Sequence, residues 1–383
     1  MKKVAHTALV YFRLSENWIH TQLKYLQDWE SVVFANRTEN LDTIDWKPAV
    51  YAREDELPFV VRAADSLAML AAGYYPSFYY RAKKENVDLV HAHFGPMGYL
   101  SSALVRAIDV PLVTTFYGYD ASMLPKEGPK WRGRYKVLFE RGSRFLVEGP
   151  AMKDKLKGLG CPPEKIIIQH LGIELEKYPV RDNYHTDGKL RILMVGRFVE
   201  KKGFIYGLRA FRKFLDGGGE GILTIIGDSS GTTESEAIKK QLLQYVEEND
   251  LDTVVKFKGL IPLKELQKEY YRHELFLAPS VEAQNGDNEG GAPVTIIEAE
   301  ATGMPIIGSR HCDIPEVVKE DETGLLANER DVEELTEHLF QMYHHPAMRA
   351  KLGRAGARYI RANFDAQKQG KRLGKIYDNC LQD

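Results

Sequence analysis

Short apolar runs alternate with segments of helical periodicity along most of the chain. A short apolar run bounded by polar or turn-forming residues is typical of a buried strand, whereas apolar positions three and four apart indicate a helix. In the first half, the predicted strands are VAHTALVYF, SVVFANR, VDLVHAHFG, PLVTTFYG, SRFLVEG and KIIIQHLGI. In the second half they are RILMVGRF, GILTIIGD, VVKFKGLI, LFLAPS and PIIG. Strands that alternate with helices predict parallel sheets, so the expected fold class is α/β.

The alternating pattern stops once and then restarts, which predicts two domains. The polar segment Arg181–Lys189 has no apolar periodicity and is the expected linker. We therefore predict an N-terminal Rossmann-like domain over residues 1–180, a C-terminal one over residues 190–363, and a final helix over residues 364–383. Two similar halves joined by one linker also predict a cleft.

Three local predictions concern the first half. Ser15 is expected to cap the helix that follows it. Residues 39–56 are polar and acidic and are expected to form a loop. Residues 60–86 are expected to be helical.

The segment EGGAPVTIIEAEATG, Glu289–Gly303, is predicted to be a glycine loop that leads into a short helix. Pro293 suits a first helical turn, and Gly303 with Pro305 provides stop signals, so the helix should run from about Pro293 to Thr302. LFLAPS precedes this unit as a strand, and in an open α/β sheet ligands bind beyond the carboxyl ends of the strands.

The composition of this loop favours a nucleotide sugar. Gly290 and Gly291 let the backbone approach a ligand closely, and the first N–H groups of the helix would suit a phosphate. Glu289 and Glu298 would repel a phosphate but suit sugar hydroxyls. The alternative is a plain glycine turn followed by a solvent-exposed glutamate, because most glutamates on helices face water.

Two cations follow the first strand of the second half. Arg197 lies just beyond RILMVG, and Lys202 lies near the start of the next helix. Two fixed cations and a helix N-terminus can hold a diphosphate without a metal ion, although arginine and lysine are also common in surface loops. In TIIGDSSG, Gly227 and Gly231 lack the GxGxxG spacing, which argues against a dinucleotide site.

The first half also places polar side chains at strand ends. HAHFG puts His91 and His93 on one face of a strand, with His93 at its carboxyl end, although inward-facing histidines are more often core residues. TTFYGYD puts Tyr117 and Asp120 after another strand. A phenol can donate a hydrogen bond to a sugar oxygen and a carboxylate can accept one from a hydroxyl, but Asp120 could equally cap a helix.

Composition excludes several classes of protein. The 383 residues carry a net charge of −2, with no strong charge asymmetry, which argues against a nucleic-acid partner. Three cysteines without CxxC spacing argue for a reducing compartment, hence a cytoplasmic location, and against a disulfide framework or a zinc site. The first apolar run contains His6 and Thr7 and is expected to be a strand, not a signal peptide. No run reaches the roughly 18 apolar residues that a membrane span needs.

Several motifs resemble those of the family 4 glycosyltransferases. VGRFVEKKGF, IIGDSSG, VVKFKGLIP and EGGAPVTIIEAEATGMPIIG, with IPEVV and TGLL behind them, resemble the nucleotide-binding half of that family. HAHFG, TTFYGYD and GCPPEKIIIQHLGIELEKY resemble its first half, so the resemblance covers nearly the whole chain. It implies the GT-B fold, in which two Rossmann-like domains have parallel sheets facing each other across a cleft and the C-terminal helices return to the N-terminal domain.

The resemblance implies a retaining glycosyltransferase that moves a sugar from a UDP- or GDP-sugar to a hydroxyl acceptor, with no cofactor and no essential metal. Arg197 and Lys202 would neutralise the departing diphosphate, Glu289 would bind the transferred sugar, and Glu298 would bind the ribose. Further residues implied to contact the donor are Gly227, Gly259, Leu260, Gly290, Gly291 and Ala292. The residues expected to contact the acceptor or the sugar are Ser15, Glu16, His93, Tyr117 and Asp120. The diphosphate would take the acceptor's proton, so no protein base is implied.

Three features depart from the family pattern. The family usually has seven residues between its two glutamates, whereas eight separate Glu289 from Glu298 here. Tyr117 occupies a position where the family more often has histidine, so an acid role there is not expected. A glycine-rich loop after the first strand is missing, and SENW takes its place.

The acceptor is only weakly indicated. Lys126–Arg144 is basic with interleaved aromatic residues, so it could hold an anionic acceptor or touch the inner face of a membrane as a peripheral contact; a solvated helix face is the alternative. Similar enzymes build surface polysaccharides or glycoconjugates. A nucleotide-sugar epimerase of the same fold, or a non-catalytic protein that binds sugar nucleotides, stays open. The sequence does not indicate an oligomeric state.

Overall fold

The computed structural model describes residues 1–13, 16–184 and 188–382, and the chain divides into two compact units. Unit 1 comprises residues 1–173 and 364–383, and unit 2 comprises residues 174–363. Residues 174–180, which the sequence pattern assigns to the N-terminal domain, belong to unit 2.

Unit 1 is built on a parallel sheet of seven strands in the order β3-β2-β1-β4-β5-β6-β7. The strands are β1 Lys2–Tyr11, β2 Trp29–Thr38, β3 Ala49–Ala52, β4 Leu89–His93, β5 Leu112–Thr115, β6 Arg144–Val147 and β7 Ile166–Ile168. The strand order reverses between β1 and β4, which is the kind of switch point beside which ligands bind in such sheets. In this register His6 of β1 lies opposite His91 of β4.

Helices connect the strands of unit 1. They are α1 Asn17–Lys24, α2 Arg53–Glu56, α3 Phe59–Ala72, α4 Pro76–Glu85, α5 Gly95–Ile108, α6 Tyr119–Ser122, α7 Pro129–Arg141 and α8 Pro150–Gly158. The helical prediction for residues 60–86 is confirmed, with a break at Gly73, whose φ of 79° ends α3. Glu16 occupies the position before α1; Ser15, the predicted cap, lies outside the described residues.

The loop predicted for residues 39–56 is partly wrong. This segment contains the edge strand β3 and the short helix α2. Val32 of β2 pairs with Ala49 of β3, and that ladder of backbone hydrogen bonds orders a segment whose polar composition suggests a loop. Pairing with a neighbouring strand can override local preference.

Unit 2 repeats the architecture with a parallel sheet of six strands in the order β10-β9-β8-β11-β12-β13. The strands are β8 Leu190–Val195, β9 Gly221–Ile226, β10 Val255–Phe257, β11 Leu275–Ala278, β12 Ile306–Ser309 and β13 Gly324–Ala327. The helices are α9 Phe204–Asp216, α10 Thr233–Glu248, α11 Leu263–Arg272, α12 Val294–Ala301, α13 Ile314–Val317, α14 Val332–His344 and α15 Pro346–Asn363. The helix predicted from Pro293 to Thr302 is α12, one residue shorter at each end.

The last helix, α16 Ala366–Cys380, packs on unit 1, as the GT-B resemblance implies. Asp365 caps it by accepting hydrogen bonds from the next backbone N–H groups. Gly370 lies so close to Tyr25 that a Cβ atom would come within 1.9 Å of the Tyr25 carbonyl oxygen. The hydroxyl of Tyr377 lies 2.6 Å from Nδ1 of His91, so α16 contacts the buried face of the unit 1 sheet. Within the described residues, no helix is both long and apolar enough to cross a membrane.

Candidate functional site

The carboxyl ends of three neighbouring strands in unit 2 meet through glycines. Gly227 follows β9 with φ of 144°, and a Cβ atom there would come within 1.8 Å of the Gly196 carbonyl oxygen beyond β8. The N–H of Gly227 donates to the carbonyl of Gly259 beyond β10 at 3.0 Å. Leu260, next to Gly259, is 74% exposed. The backbones at this sheet edge therefore pack as closely as only glycine permits.

Lys202 is brought to the same edge by a second close approach. It ends a single 3₁₀ turn, Glu200–Lys202, and the following Gly203 has φ of 65°. A Cβ atom on Gly203 would come within 1.8 Å of the Pro279 carbonyl oxygen, so this turn lies against the end of β11. The result is a salt bridge of 2.9 Å between Nζ of Lys202 and Oε2 of Glu289.

Arg197, the second predicted cation, is exposed at the end of β8. Its side chain makes no hydrogen bond or ion pair within residues 1–13, 16–184 and 188–382. Its charge contributes to lowering the pKa of Lys202, so the two cations lie within electrostatic reach of each other. The structure therefore places Arg197 and Lys202 at one edge of the sheet, with Arg197 open to solvent.

The glycine loop between β11 and α12 is fixed by side chains on both sides. Lys201 donates to the carbonyl of Asn288 at 2.8 Å, and Oδ1 of Asn288 accepts from the N–H of Gly290 at 3.1 Å. Ser280 donates to Oε1 of Glu289 at 2.8 Å. Gly290 has φ of 71°, in the left-handed region that favours glycine. Ser280 was not predicted as a site residue, because an isolated serine after a strand does not indicate a binding site.

The charges around Glu289 fix its ionisation. Burial alone would raise the pKa of Glu289, but the charges of Lys202 and Lys201 and hydrogen bonds from Lys202 and Ser280 outweigh it and lower the pKa to about 2. Burial disfavours the charged form of Lys202 too and therefore lowers its pKa, and the charge of Glu289 opposes that shift. Glu289 is thus a carboxylate at neutral pH, able to accept hydrogen bonds but poorly suited to take a proton.

Glu298 points into unit 2 and is only 5% exposed. Its two carboxyl oxygens accept hydrogen bonds from Tyr178 at 2.6 Å and Tyr270 at 2.8 Å. Burial raises the pKa of Glu298, and these two phenols oppose the shift. The solvent-exposed alternative for this glutamate is therefore wrong. Neither tyrosine was predicted, because each lies far from Glu298 in sequence and no local pattern connects them.

A small crevice opens between the strand ends and the start of α12. It is lined by Lys202, Ser280, Pro293 and Thr295 together with apolar residues of β8 and β11. Gly291 and Ala292, which lead into α12, are buried. The crevice brings a cation, a hydroxyl and the N-terminus of α12 together, but its volume of about 10 Å³ has room for about one water molecule, and both the cation and the hydroxyl bind Glu289.

In unit 1, His93 and Tyr117 lie next to each other in the interior. His93 is fully buried, its Nδ1 lies 2.7 Å from the hydroxyl of Tyr117, and its Nε2 lies 3.1 Å from Nδ1 of His6. Burial lowers the pKa of His93 to about 3, so the ring is neutral at physiological pH. Tyr117 is 8% exposed. His93 therefore orients Tyr117, and of the two only Tyr117 reaches the surface.

Asp120 ties two loops together, in contrast to the sugar contact that the sequence suggests. It is fully buried and accepts N–H groups of Gly95 at 2.8 Å, Tyr117 at 3.1 Å and Gly118 at 3.0 Å. Burial raises the pKa of Asp120 to about 6, and these N–H groups limit the shift. A carboxylate with this many internal donors has little capacity left for a ligand. Glu16 lies before α1, with an oxygen 3.4 Å from Arg13.

Three buried histidines form the one group of metal-type donors found in the described part of the chain. One nitrogen from each of His6, His91 and His93 lies within 4.8 Å of the others. His91 also contacts Thr115 at 2.7 Å and Tyr377 at 2.6 Å, and burial lowers the pKa of all three rings. The cluster could hold a metal ion, but hydrogen bonds already engage both nitrogens of His91 and His93.

Comparison with known proteins gives a consistent result. A model of the glycosyl transferases group 1 matches residues 180–359, and a model of glycosyltransferase family 4 matches residues 15–177. The amylovoran biosynthesis glycosyltransferase AmsK of Erwinia amylovora is 34% identical over 67% of this chain and 61% of its own length. The putative colanic acid biosynthesis glycosyltransferase WcaL of Salmonella typhimurium is 30% identical over 76% of this chain and 70% of its own length.

Solved structures share the fold. HepE from Anabaena, crystallised with UDP and glucose, has a TM-score of 0.80 and 15% identity, covering 99% of this chain and 100% of that one. At this identity the likeness concerns the fold alone. The two parallel-sheet units of this chain have the GT-B architecture.

Proposed function

This chain belongs to the family of group 1 glycosyltransferases, and from that premise we propose that it transfers a sugar from a nucleoside diphosphate sugar to a hydroxyl acceptor with retention of anomeric configuration. The observation that supports the donor most directly is the meeting of Lys202, Glu289 and the start of α12 at one sheet edge of unit 2. A cation for phosphate and a carboxylate for sugar hydroxyls are what such a donor requires.

Departure of the nucleoside diphosphate is the step that needs most help, because negative charge develops on its oxygen. Arg197 and Lys202 would stabilise that charge, and preorganised groups that stabilise developing charge account for much of enzymatic rate enhancement. Arg197 is exposed, so it can reach a ligand without breaking an internal bond. With two cations and the N-terminus of α12 available, the proposal needs no metal ion.

The glutamates would recognise hydroxyl groups. Glu289 remains ionised because of Lys202 and can accept hydrogen bonds from the transferred sugar, while amides of Gly290, Gly291 and Ala292 lie beside it. Glu298 would accept from the ribose, in addition to the two phenols that already hold its orientation. Gly227, Gly259 and Leu260 would contact the nucleotide at the neighbouring strand ends.

Retention is supported by two carboxylates of the described residues that are poorly suited to act as the base of an inverting reaction. Glu289 has a depressed pKa and Asp120 is enclosed by backbone donors, so neither suits proton abstraction. We propose that the leaving diphosphate takes the acceptor's proton. Tyr117, which is not cationic, would contribute a hydrogen bond to the sugar or the acceptor.

The acceptor is proposed from the relatives. AmsK and WcaL are named for the biosynthesis of amylovoran and colanic acid, which supports a saccharide acceptor in the assembly of a surface polysaccharide. Lys126–Arg144 would be the segment that meets an anionic or lipid-linked acceptor at the inner face of a membrane.

One assay distinguishes this function from its competitors. The protein is incubated with radiolabelled UDP- and GDP-sugars, with and without a membrane extract from a polysaccharide-producing bacterium. Nucleotide release that requires the extract, with label in a product whose anomeric configuration by NMR matches that of the donor, is expected. Conversion of the sugar without extract would indicate an epimerase, and binding without turnover would indicate a non-catalytic protein.

A further inference from the structure

His311 lies in the loop between β12 and α13, and the proposed donor site does not assign it a role. It is 2% exposed, and both ring nitrogens have partners. Nδ1 lies 2.6 Å from Oε1 of Glu329, and Nε2 lies 3.2 Å from the backbone nitrogen of Glu289. The thiol sulfur of Cys312 also lies 3.2 Å from Nε2.

The partners fix the tautomer of His311. A backbone N–H can only donate, so Nε2 must accept from Glu289 and carries no proton. The single ring proton is therefore on Nδ1 and is donated to the carboxylate of Glu329. Around metal and catalytic sites, a carboxylate or carbonyl commonly accepts from one ring nitrogen of a histidine. That hydrogen bond fixes the tautomer and the orientation of the imidazole.

Glu329 contacts the loop that carries Glu289 at two points, directly at Glu282 and through His311 at Glu289. Its Oε2 accepts from the N–H of Glu282 at 2.8 Å, near the start of the loop, while its Oε1 holds His311, which reaches the end of the loop. The side chain of Glu289 is held separately by Lys202 and Ser280. Backbone and carboxylate of Glu289 are thus fixed by two independent sets of contacts.

We propose that His311, oriented by Glu329, is a positioning residue that sets the aim of Glu289 at the transferred sugar. This rests on the proposed function, since Glu289 is the group assigned there to the sugar. Such a tether matters because a loop with adjacent glycines, Gly290 and Gly291, has many backbone conformations in which Glu289 would point elsewhere. Misplacement of a reacting or binding group by about 1 Å can cost roughly 100-fold in rate.

Two amide variants separate the two sides of the imidazole. Asn in His311→Asn can still meet Glu329 but has no atom at the position of Nε2, so the Glu289 N–H loses its acceptor. Gln in His311→Gln is longer and can place its oxygen near that position. Glu329→Ala removes both loop contacts, whereas Glu329→Gln has a single amide oxygen and so keeps an acceptor for only one of them. His338→Asn is the control, because His338 also contacts the backbone through Nε2, although there it donates to the Leu326 carbonyl, and it lies 4.0 Å from a glutamate, Glu334.

The experiment measures three quantities for each variant: the Kd of UDP alone, kcat and KM with the radiolabelled UDP-sugar, and deuterium exchange of the Glu289 amide. GDP and a GDP-sugar replace UDP and the UDP-sugar if the wild-type protein uses those. We expect His311→Asn and Glu329→Ala to bind UDP within about threefold of wild type, to lose roughly 100-fold in kcat/KM, and to lose exchange protection at Glu289. His311→Gln should retain most of both, Glu329→Gln should lie between Glu329→Ala and wild type because it keeps one of the two acceptors, and His338→Asn should match wild type.

Two results would overturn the positioning role. One is an unchanged kcat/KM and amide exchange in His311→Asn. The other is a parallel loss of UDP binding and sugar transfer in every His311 and Glu329 variant, which a general loss of structure would produce. If the wild-type protein binds neither UDP nor GDP and transfers sugar from neither class of donor, the proposed function fails instead, and the Glu289 exchange rates of the Asn and Gln variants still decide whether His311 holds this loop.

Discussion

Nζ of Lys202 lies 2.9 Å from Oε2 of Glu289. This contact joins the predicted phosphate-binding residue of the donor site to the predicted sugar-binding residue. A lysine that would hold phosphate and a glutamate that would hold sugar come from segments 87 residues apart in sequence. Because each ion is largely buried, either one alone would be an uncompensated charge. The pair therefore keeps both groups ionised in the absence of any ligand.

Lys202→Met should remove this balance. Without the lysine, only Lys201 and Ser280 would oppose burial, so the pKa of Glu289 would rise and the phosphate contact would be lost. We expect kcat/KM for sugar transfer to fall roughly 100- to 1000-fold. Lys268→Met is the matched control, since Lys268 forms an exposed ion pair with Glu265 at 2.7 Å, and its activity should be within twofold of wild type. Equal activity of the two variants would show that Lys202 does not contribute to sugar transfer.

Arg197→Ala should affect kcat more than KM. The guanidinium is proposed to act on charge that develops as the diphosphate departs, and an interaction made mainly in the transition state lowers kcat when it is lost. A drop in kcat of about 100-fold is expected, against a few-fold for Tyr117→Phe. Arg209→Ala, on an exposed face of α9, controls for loss of a surface charge. A rise in KM with kcat unchanged would show that Arg197 contributes uniform binding only.

Glu300 should make stability depend on pH. It is fully buried against Gly356, and neither carboxyl oxygen has a hydrogen-bond partner among the described residues. Burial raises its pKa to about 8; the Thr323 hydroxyl, which lies close without meeting hydrogen-bond geometry, and the charge of Lys319 oppose this shift only in part. A pKa raised above the unfolded value near 4.5 means that the folded state binds more protons between these values, so this contribution to stability is full below pH 4.5 and is lost as pH rises through 8.

The test is the difference in unfolding free energy between wild type and Glu300→Gln across this range. The glutamine of the variant does not ionise, so the unfolding free energy of the variant relative to wild type should rise by about 3 kcal/mol from pH 5 to pH 8. Denaturant melts at several pH values measure it. A constant difference would show that Glu300 is ionised in the folded protein.

Gly227→Ala should be strongly destabilising. Its φ of 144° disfavours any residue with a Cβ atom, and that atom would lie 1.8 Å from the Gly196 carbonyl oxygen. We expect a loss of roughly 3 kcal/mol or more in the free energy of unfolding. Gly231→Ala is the control, because Gly231 also has positive φ, 80°, but has open space around it, and its cost should be about 1 kcal/mol. Similar melting temperatures for the two variants would contradict the close packing of the strand ends.

Elements whose signal lies in adjacent residues could be predicted from the sequence. Helix α12 was found within one residue at each end because its proline, apolar run and glycine stop are contiguous. The positions of Lys202 and Glu289 followed from strand ends and motif resemblance. Strand β3 was missed because it is ordered by its pairing with β2, which local composition does not record.

What remained hidden depends on contacts between distant segments. The sequence suggested a hydroxyl-binding carboxylate at Asp120, but the surrounding N–H groups that enclose it are known only once the loops meet. In the same way, the phenols of Tyr178 and Tyr270 reach Glu298 from 120 and 28 residues away. Side-chain direction and burial at such positions are set by tertiary packing.

The most direct measurement is a crystal structure of the protein with UDP or GDP bound. We expect the diphosphate beside Arg197 and Lys202, at the carboxyl ends of β8 and β11. We expect the ribose hydroxyls within hydrogen-bonding distance of Glu298. A nucleotide bound elsewhere on the molecule, with these three side chains unengaged, would contradict it.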